Sequence, residues 1–209
     1  MAQGLIGAAR RLRRRTRRLP WLILMTDPDR GGDPLAAAAA LPRGCVVILR
    51  HDSVPGRADL ANRLSRLCRA RGLRLSIARD ALLALRLGAG LHLADGMEPP
   101  VLWRLHGRGL LSIAAHGPGA LARARRMGAD LALLSPLFAT ASHPGARALG
   151  TVRFARFARS AGLPVAALGG VTAARVAAAR RAGAVAVAAV GALARRPRSR
   201  LLQPCHGVP

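Results

Sequence analysis

Seven times along this chain a helix-compatible stretch rich in alanine and arginine runs into glycine and then into a short, almost wholly apolar run. The junctions fall at Gly44, Gly72, Gly88 with Gly90, Gly109, Gly128, Gly162 and Gly183. A residue just past a helix often takes a left-handed conformation, which costs less without a Cβ. The apolar runs, at 45–50, 73–78, 91–93, 110–114, 130–134, 164–168 and 185–190, lack the polar alternation of a sheet with one wet face. They read as strands buried on both sides.

An opening strand at 21–25 makes eight. Between them lie helix-compatible segments at 33–41, 58–71, 80–87, 98–106, 118–127, 152–161 and 172–182. Such alternation means parallel strands joined by right-handed crossovers. Eight near-equal units within residues 21–193, with no extra segment, favour closure into a compact single-domain (β/α)8 TIM barrel over a doubly wound open sheet.

The apolar fraction of 51% provides a sizeable core, although 34 basic residues face only 9 acids, a net charge of +25. Every basic residue is arginine, a skew with the look of codon bias. Seven arginines lie in 1–20 and four in 195–209, with no acid in either, so eleven of the net charges sit in the two ends. Three regions are therefore expected: a flexible basic extension at 1–19, a barrel at 20–194 and a basic tail at 195–209. The apolar run at 19–26 is far shorter than a membrane span, so no membrane association is expected. Cys45, Cys68 and Cys205 are too few and too irregular for a disulfide framework or a zinc site, making a reducing cytoplasm the default. Aromatics at 2% leave little for bases to stack on, which argues against nucleic acid as the partner.

In a barrel of this kind the reactive face is built from the loops that follow the strands. Gly169-Gly170-Val171-Thr172 follows a strand and opens a helix, so its backbone N–H groups are placed to receive an anion; Gly191 repeats the arrangement after the last strand. Glycine-bearing ends of the last two strands form the usual phosphate site of the architecture, although a tight turn needing no ligand would use the same residues. The long segment 135–150 stands apart from its short-looped neighbours. It offers Thr140, Ser142, His143 and Arg147 to a phosphorylated ligand.

These residues in this order resemble the thiamine phosphate synthase/TenI family of barrels. The likeness runs over most of the chain. It is carried by Leu24-Met25-Thr26-Asp27, Val47-Ile48-Leu49-Arg50, Gly90-Leu91-His92-Leu93, Ala115-His116, the 135–142 segment and Ala167-Leu168-Gly169-Gly170-Val171. The resemblance implies a role in thiamine biosynthesis: joining hydroxymethylpyrimidine pyrophosphate to thiazole phosphate and releasing pyrophosphate with Mg²⁺. It places Thr140, Ser142, Gly169, Gly170, Val190 and Gly191 on the thiazole-phosphate side, and Arg50 and His143 on the pyrimidine and pyrophosphate side. Gly191 stands where a serine is usual. Of the family's Gln-x-Arg-x-Lys only Arg50 remains, with Ile48 and Asp52 at the flanking positions, and an Asn-Asp pair after the third strand reads Ala78-Arg79. Asp80 and Asp95 lie close to the family's metal carboxylates and are the candidate substitutes.

At His116 the resemblance also implies a second activity, a TenI-like thiazole tautomerase, a role for which imidazole near neutrality suits proton transfer. A histidine that merely orients its loop is the simpler alternative. A non-catalytic barrel that binds a phosphorylated metabolite is the third possibility, and pairing of two barrels into a homodimer is left open.

Overall fold

The computed structural model describes residues 2–15, 19–30, 32–52, 54–140, 147–190 and 193, with the side chains of 13–15 excluded. Eight strands, β1 (Leu22–Met25), β2 (Val46–Leu49), β3 (Arg74–Ala78), β4 (Gly90–Leu93), β5 (Leu111–Ala115), β6 (Leu131–Leu134), β7 (Val165–Ala167) and β8 (Ala186–Ala189), pair in parallel in sequence order. β8 returns to β1 with Ile23 opposite Ala188, closing the barrel. The open sheet is thereby excluded.

Seven of the helices follow the spacing read from the sequence: α2 (Pro34–Ala39), α3 (Arg57–Arg71), α4 (Ala81–Leu87), α5 (Val101–His106), α6 (Pro118–Arg126), α7 (Gly150–Ser160) and α8 (Val176–Arg181). Their starts shift for identifiable reasons. Asp33 and Asp80, expected inside their helices, are N-caps whose carboxylates accept from Leu35 N–H and Leu83 N–H, both at 2.9 Å. Pro99 and Pro100 delay α5, because the residue before proline avoids the helical region. The segment expected to begin a helix at Thr172 opens instead with a 3₁₀ turn, Ala173–Arg175. Gly72 and Gly88 end α3 and α4 in the left-handed conformation, as the junctions imply. Gly109 serves a different need, since a Cβ there would lie 2.5 Å from Ala89 O where the chain enters β5.

Within the basic extension expected at 1–19, residues 2–12 pack against the barrel rather than hanging free. Ala2–Ala9 is helix α1, and Leu5, Ile6, Ala9 and Leu12 are buried in the core shared with the rest of the barrel. α1 packs against α8 and the 3₁₀ turn before it, and supplies an eighth helix to a ring in which the segments read from the sequence give seven. The apolar residues recur at helical spacing on one face, a pattern that the arginine count obscures. The tail at 195–209 lies outside the described residues.

Strand alternation divides the core in two. Side chains such as Leu24, Val47, Leu49, Ile77, Leu91 and Ile113 face the helices. Ile23, Met25, Val46, Ile48, Leu131, Leu133, Ala166, Ala186 and Ala188 fill one side of the barrel interior. The other side, on β3 to β5, is polar: Ser76, His92 and Ser112 are all buried. His92 Nδ1 and Ser112 Oγ stand 2.9 Å apart. Burial, reinforced by Arg50 and Arg79 and opposed by the Ser112 hydrogen bond, pushes the His92 imidazole down to about 4.

Two consequences are measurable. Leu5→Ala should cost about 3 kcal/mol in urea-induced unfolding, the range for a fully buried leucine, whereas a frayed extension would give no change. Because the folded His92 pKa lies below the unfolded value, the unfolded chain binds the extra proton between them. The His92 contribution is therefore complete above pH 6.5 and lost as the pH falls toward 4, by about 3 kcal/mol in all. His92→Gln should flatten that part of the pH dependence.

Candidate active site

Closure fixes which residues reach the mouth at the C-terminal ends of the strands. Inward positions alternate, so the inward faces of β1 and β2 continue past their last residues to Asp27 and Arg50. Asp27, 3% exposed, is ion-paired with Arg50, accepts from Asp29 N–H at 3.0 Å and lies 3.6 Å from Arg30. Burial alone would raise its pKa, but the Asp29 N–H, Arg50 and Arg30 together outweigh that and hold the carboxyl below its ordinary value. Thr26 completes the corner. Its Oγ1 accepts from Arg50 N–H at 3.0 Å and stands 3.0 Å from His51 Nδ1. Desolvation, set against Asp27 and Asp52 and helped by Arg57 and Arg50, lowers the His51 pKa. A neutral ring fits Thr26 donating to Nδ1, with the ring proton on Nε2.

A second cluster joins β2 and β3. Arg57, the first residue of α3, is mostly buried and reaches Asp52 and Asp80 at 3.3 Å each, and also donates to Ala78 O. Arg79 has φ +59°, the left-handed region that residues with a Cβ seldom occupy. There its guanidinium lies 3.3 Å from the second oxygen of Asp52. Asp52 and Arg79 thus pair with each other. Past the end of β4, Asp95 is held by Arg123 at 2.6 Å.

Asp80 and Asp95, the substitutes expected for magnesium ligands, do reach this face, but their carboxylates are committed. Asp80 caps α4 with one oxygen and meets Arg57 with the other; Asp95 is bound by Arg123. No group of three metal-ligating side chains occurs among the described residues. Mg²⁺ favours carboxylate oxygen in a nearly octahedral shell, and guanidinium-paired carboxylates do not fit that need.

The opposite half of the mouth comes from β5 to β8. His116 follows β5 and is exposed; its Nδ1 lies 3.1 Å from the carbonyl oxygen of Ser135 and 3.3 Å from Ser135 Oγ. A carbonyl only accepts, so Nδ1 carries the hydrogen, and in that tautomer Nε2 bears the lone pair. After the cis Ser135–Pro136 peptide, the chain runs along the end of β7, with Leu137 N–H on Leu168 O at 2.8 Å and Phe138 N–H on Gly169 O at 3.1 Å. The Gly-Gly turn is required by this approach. Gly169 and Gly170 have φ +93° and +61°, and a Cβ on Gly170 would lie 2.4 Å from Ala139 O. Arg175 closes the corner, donating to Gly170 O at 3.0 Å with its guanidinium 5.0 Å from the Phe138 ring centroid.

Arg50, His116, Thr140, Gly169, Gly170 and Val190 thus converge at one end of the barrel. Ser142, His143 and Gly191 lie outside the described residues. Two residues of the site, Arg57 and Arg175, escape a reading confined to strand ends. Both are cations at helix starts, where the helix dipole disfavours positive charge, and that mismatch is the signal that marks them.

The family described as thiamine monophosphate synthase matches residues 22–193. A thiamine-phosphate synthase of Geobacillus kaustophilus is 34% identical over 168 residues, covering 76% of each chain. One from Herpetosiphon aurantiacus is 33% identical over 167 residues, 77% of this chain and 81% of that one. Among solved structures, thiamine phosphate pyrophosphorylase from Pyrococcus furiosus superposes with a TM-score of 0.70 at 20% identity, covering 81% of this chain and 84% of the other, a likeness of fold. With a family match that spans the whole barrel and relatives aligned over most of their own length, the chain belongs to the thiamine monophosphate synthase/TenI family.

Proposed function

We propose that this protein acts in thiamine biosynthesis as a thiamine phosphate synthase, joining hydroxymethylpyrimidine pyrophosphate to thiazole phosphate. The bond between the pyrimidine methylene carbon and the pyrophosphate oxygen breaks, and its electron pair leaves with pyrophosphate. The thiazole nitrogen supplies the pair for the new C–N bond. The observation that carries this reading is the meeting of an arginine-lined half of the mouth with a Gly-Gly turn and a hydroxyl-bearing loop, within a family match over 22–193.

In this reading Arg50 and His143 take the pyrophosphate side, while Thr140, Ser142, Gly169, Gly170, Val190 and Gly191 hold the thiazole phosphate. Asp27 holds the Arg50 guanidinium at the mouth and Thr26 fixes its backbone, so that the guanidinium is in place before substrate arrives. Such preorganised charge opposite a leaving anion is the main contribution a protein makes to this kind of step. The Mg²⁺ that the family resemblance implies finds no fitting donor set among the described residues, and no step is assigned to it.

A second reading, thiazole tautomerase, is favoured by one observation. The Ser135 carbonyl fixes the His116 tautomer and leaves Nε2 as the basic atom, an orientation suited to moving a proton on a bound ring.

Incubating the purified protein with both phosphorylated precursors should give thiamine phosphate, and the gene should rescue a synthase-deficient strain; failure of both overturns the synthase reading. Arg50→Ala should lower kcat/KM about 100-fold. Gly170→Ala, which places a Cβ against Ala139 O, should raise KM for thiazole phosphate about tenfold while affecting the pyrimidine substrate less. His116→Ala separates the two readings: synthase activity should stay within about threefold, whereas thiazole isomer conversion, followed separately, should vanish if His116 is the base.

A further inference from the structure

Four of the nine acids, Asp27, Asp52, Asp80 and Asp95, stand at the strand ends of the first half of the barrel, and arginine binds every one of them. Five guanidinium groups, those of Arg30, Arg50, Arg57, Arg79 and Arg123, surround these four carboxylates. A divalent cation would have to displace a guanidinium from any carboxylate it used. An anion shares these groups with the carboxylates rather than displacing them: Arg79 is 54% exposed, Arg57 Nε is buried without a partner, and guanidinium is a planar fork that binds phosphate oxygens two at a time.

The geometry also leaves room. A cavity of about 540 Å³ opens between the ends of β2 and β3 and the start of α5, lined by Asp52, Arg57, Arg79, Asp80, Leu82 and Leu102. Arg57 is fixed there by three partners, while Arg79 is paired on one side and 54% exposed on the other. The left-handed backbone of Arg79 turns its side chain off the strand toward Asp52 and this cavity. Strained non-glycine conformations cluster at functional sites, and here the strain places a cation.

We propose that the Arg57 and Arg79 guanidinium groups, with Arg50 on the adjoining end of β2, serve as the counter-charge to a diphosphate group in place of a divalent cation, so that this chain binds diphosphate without metal. The inference rests on the synthase reading for the identity of the diphosphate, and its test does not require turnover.

Inorganic pyrophosphate is titrated calorimetrically into the full chain, once in EDTA and once in Mg²⁺. Binding is expected in EDTA, with an affinity within about threefold of that in Mg²⁺. Arg79→Gly suits the left-handed backbone and so leaves folding intact; it should weaken binding in EDTA about tenfold, as should Arg57→Ala if circular dichroism shows it folded. Arg126→Ala, on the outer face of α6, controls for overall charge and should bind as the parent does. Binding only in Mg²⁺, an Arg79→Gly variant that binds like the parent, or equal weakening by Arg126→Ala would each overturn the proposal. Metal-free pyrophosphate binding without thiamine phosphate formation would sink the synthase reading and leave this one standing; a working synthase that needs Mg²⁺ to hold pyrophosphate would do the reverse.

Discussion

Everything functional in this molecule depends on the closure of β8 onto β1. A parallel ladder that returns to its first strand has no free edge, and its side chains must alternate strictly between lumen and helix layer. That alternation sends Asp27 and Arg50 to the mouth while Leu24 and Leu49 go to the helices. Shifting β1 or β2 by one residue would exchange the two sets, carrying a charged partner of this ion pair into the outer core. The small interior residues Ala166, Ala186 and Ala188 opposite Ile23, Met25 and Ile48 show how the lumen is filled without forcing the strands apart.

The polar half of the lumen follows a different logic from the apolar half. Ser76, His92 and Ser112 occupy β3 to β5, beneath the strand ends that gather arginine. A neutral His92 beneath Arg50 and Arg79 adds no repulsion to a mouth already rich in positive charge, and the two arginines help to keep it neutral. With arginine in place of lysine throughout, the positive charge at the mouth sits on planar guanidinium forks rather than on compact ammonium groups. Arginine also explains why the acids matter despite their scarcity. At Asp27 and Asp52 a carboxylate does not offset charge in bulk but orients particular guanidinium groups.

Much of this was legible in the sequence, since glycine junctions and unbroken apolar runs are local signals. They give eight strands, seven helices, the parallel sense and closure, and they locate the Gly169-Gly170 turn at the mouth. Three things were not legible, two of them because they depend on contacts distant in sequence. The helix caps at Asp33 and Asp80 are local, two and three residues apart, but an aspartate next to an apolar run reads equally well as the first helical residue. The pairing of Asp52 with both Arg57 and Arg79 needs two strand ends and a helix start to be neighbours. The Gly-Gly turn, read as an anion cradle, also has a packing role that only the approach of Pro136 to Ala139 makes visible. The opening arginines misled for another reason: total charge concealed the few apolar positions that decide whether a segment packs.

Helix α1 lies before the family match at residue 22 and yet packs beside α8. Residues 2–12 therefore find their partners only once the seventh unit, with its 3₁₀ turn and α8, exists. Such a contact, with its large loop-closure entropy, forms late in folding. Until then Leu5, Ile6 and Leu12 have no apolar surface to cover, so a nascent chain of this protein carries an exposed hydrophobic stripe amid arginines, the kind of segment that chaperones bind.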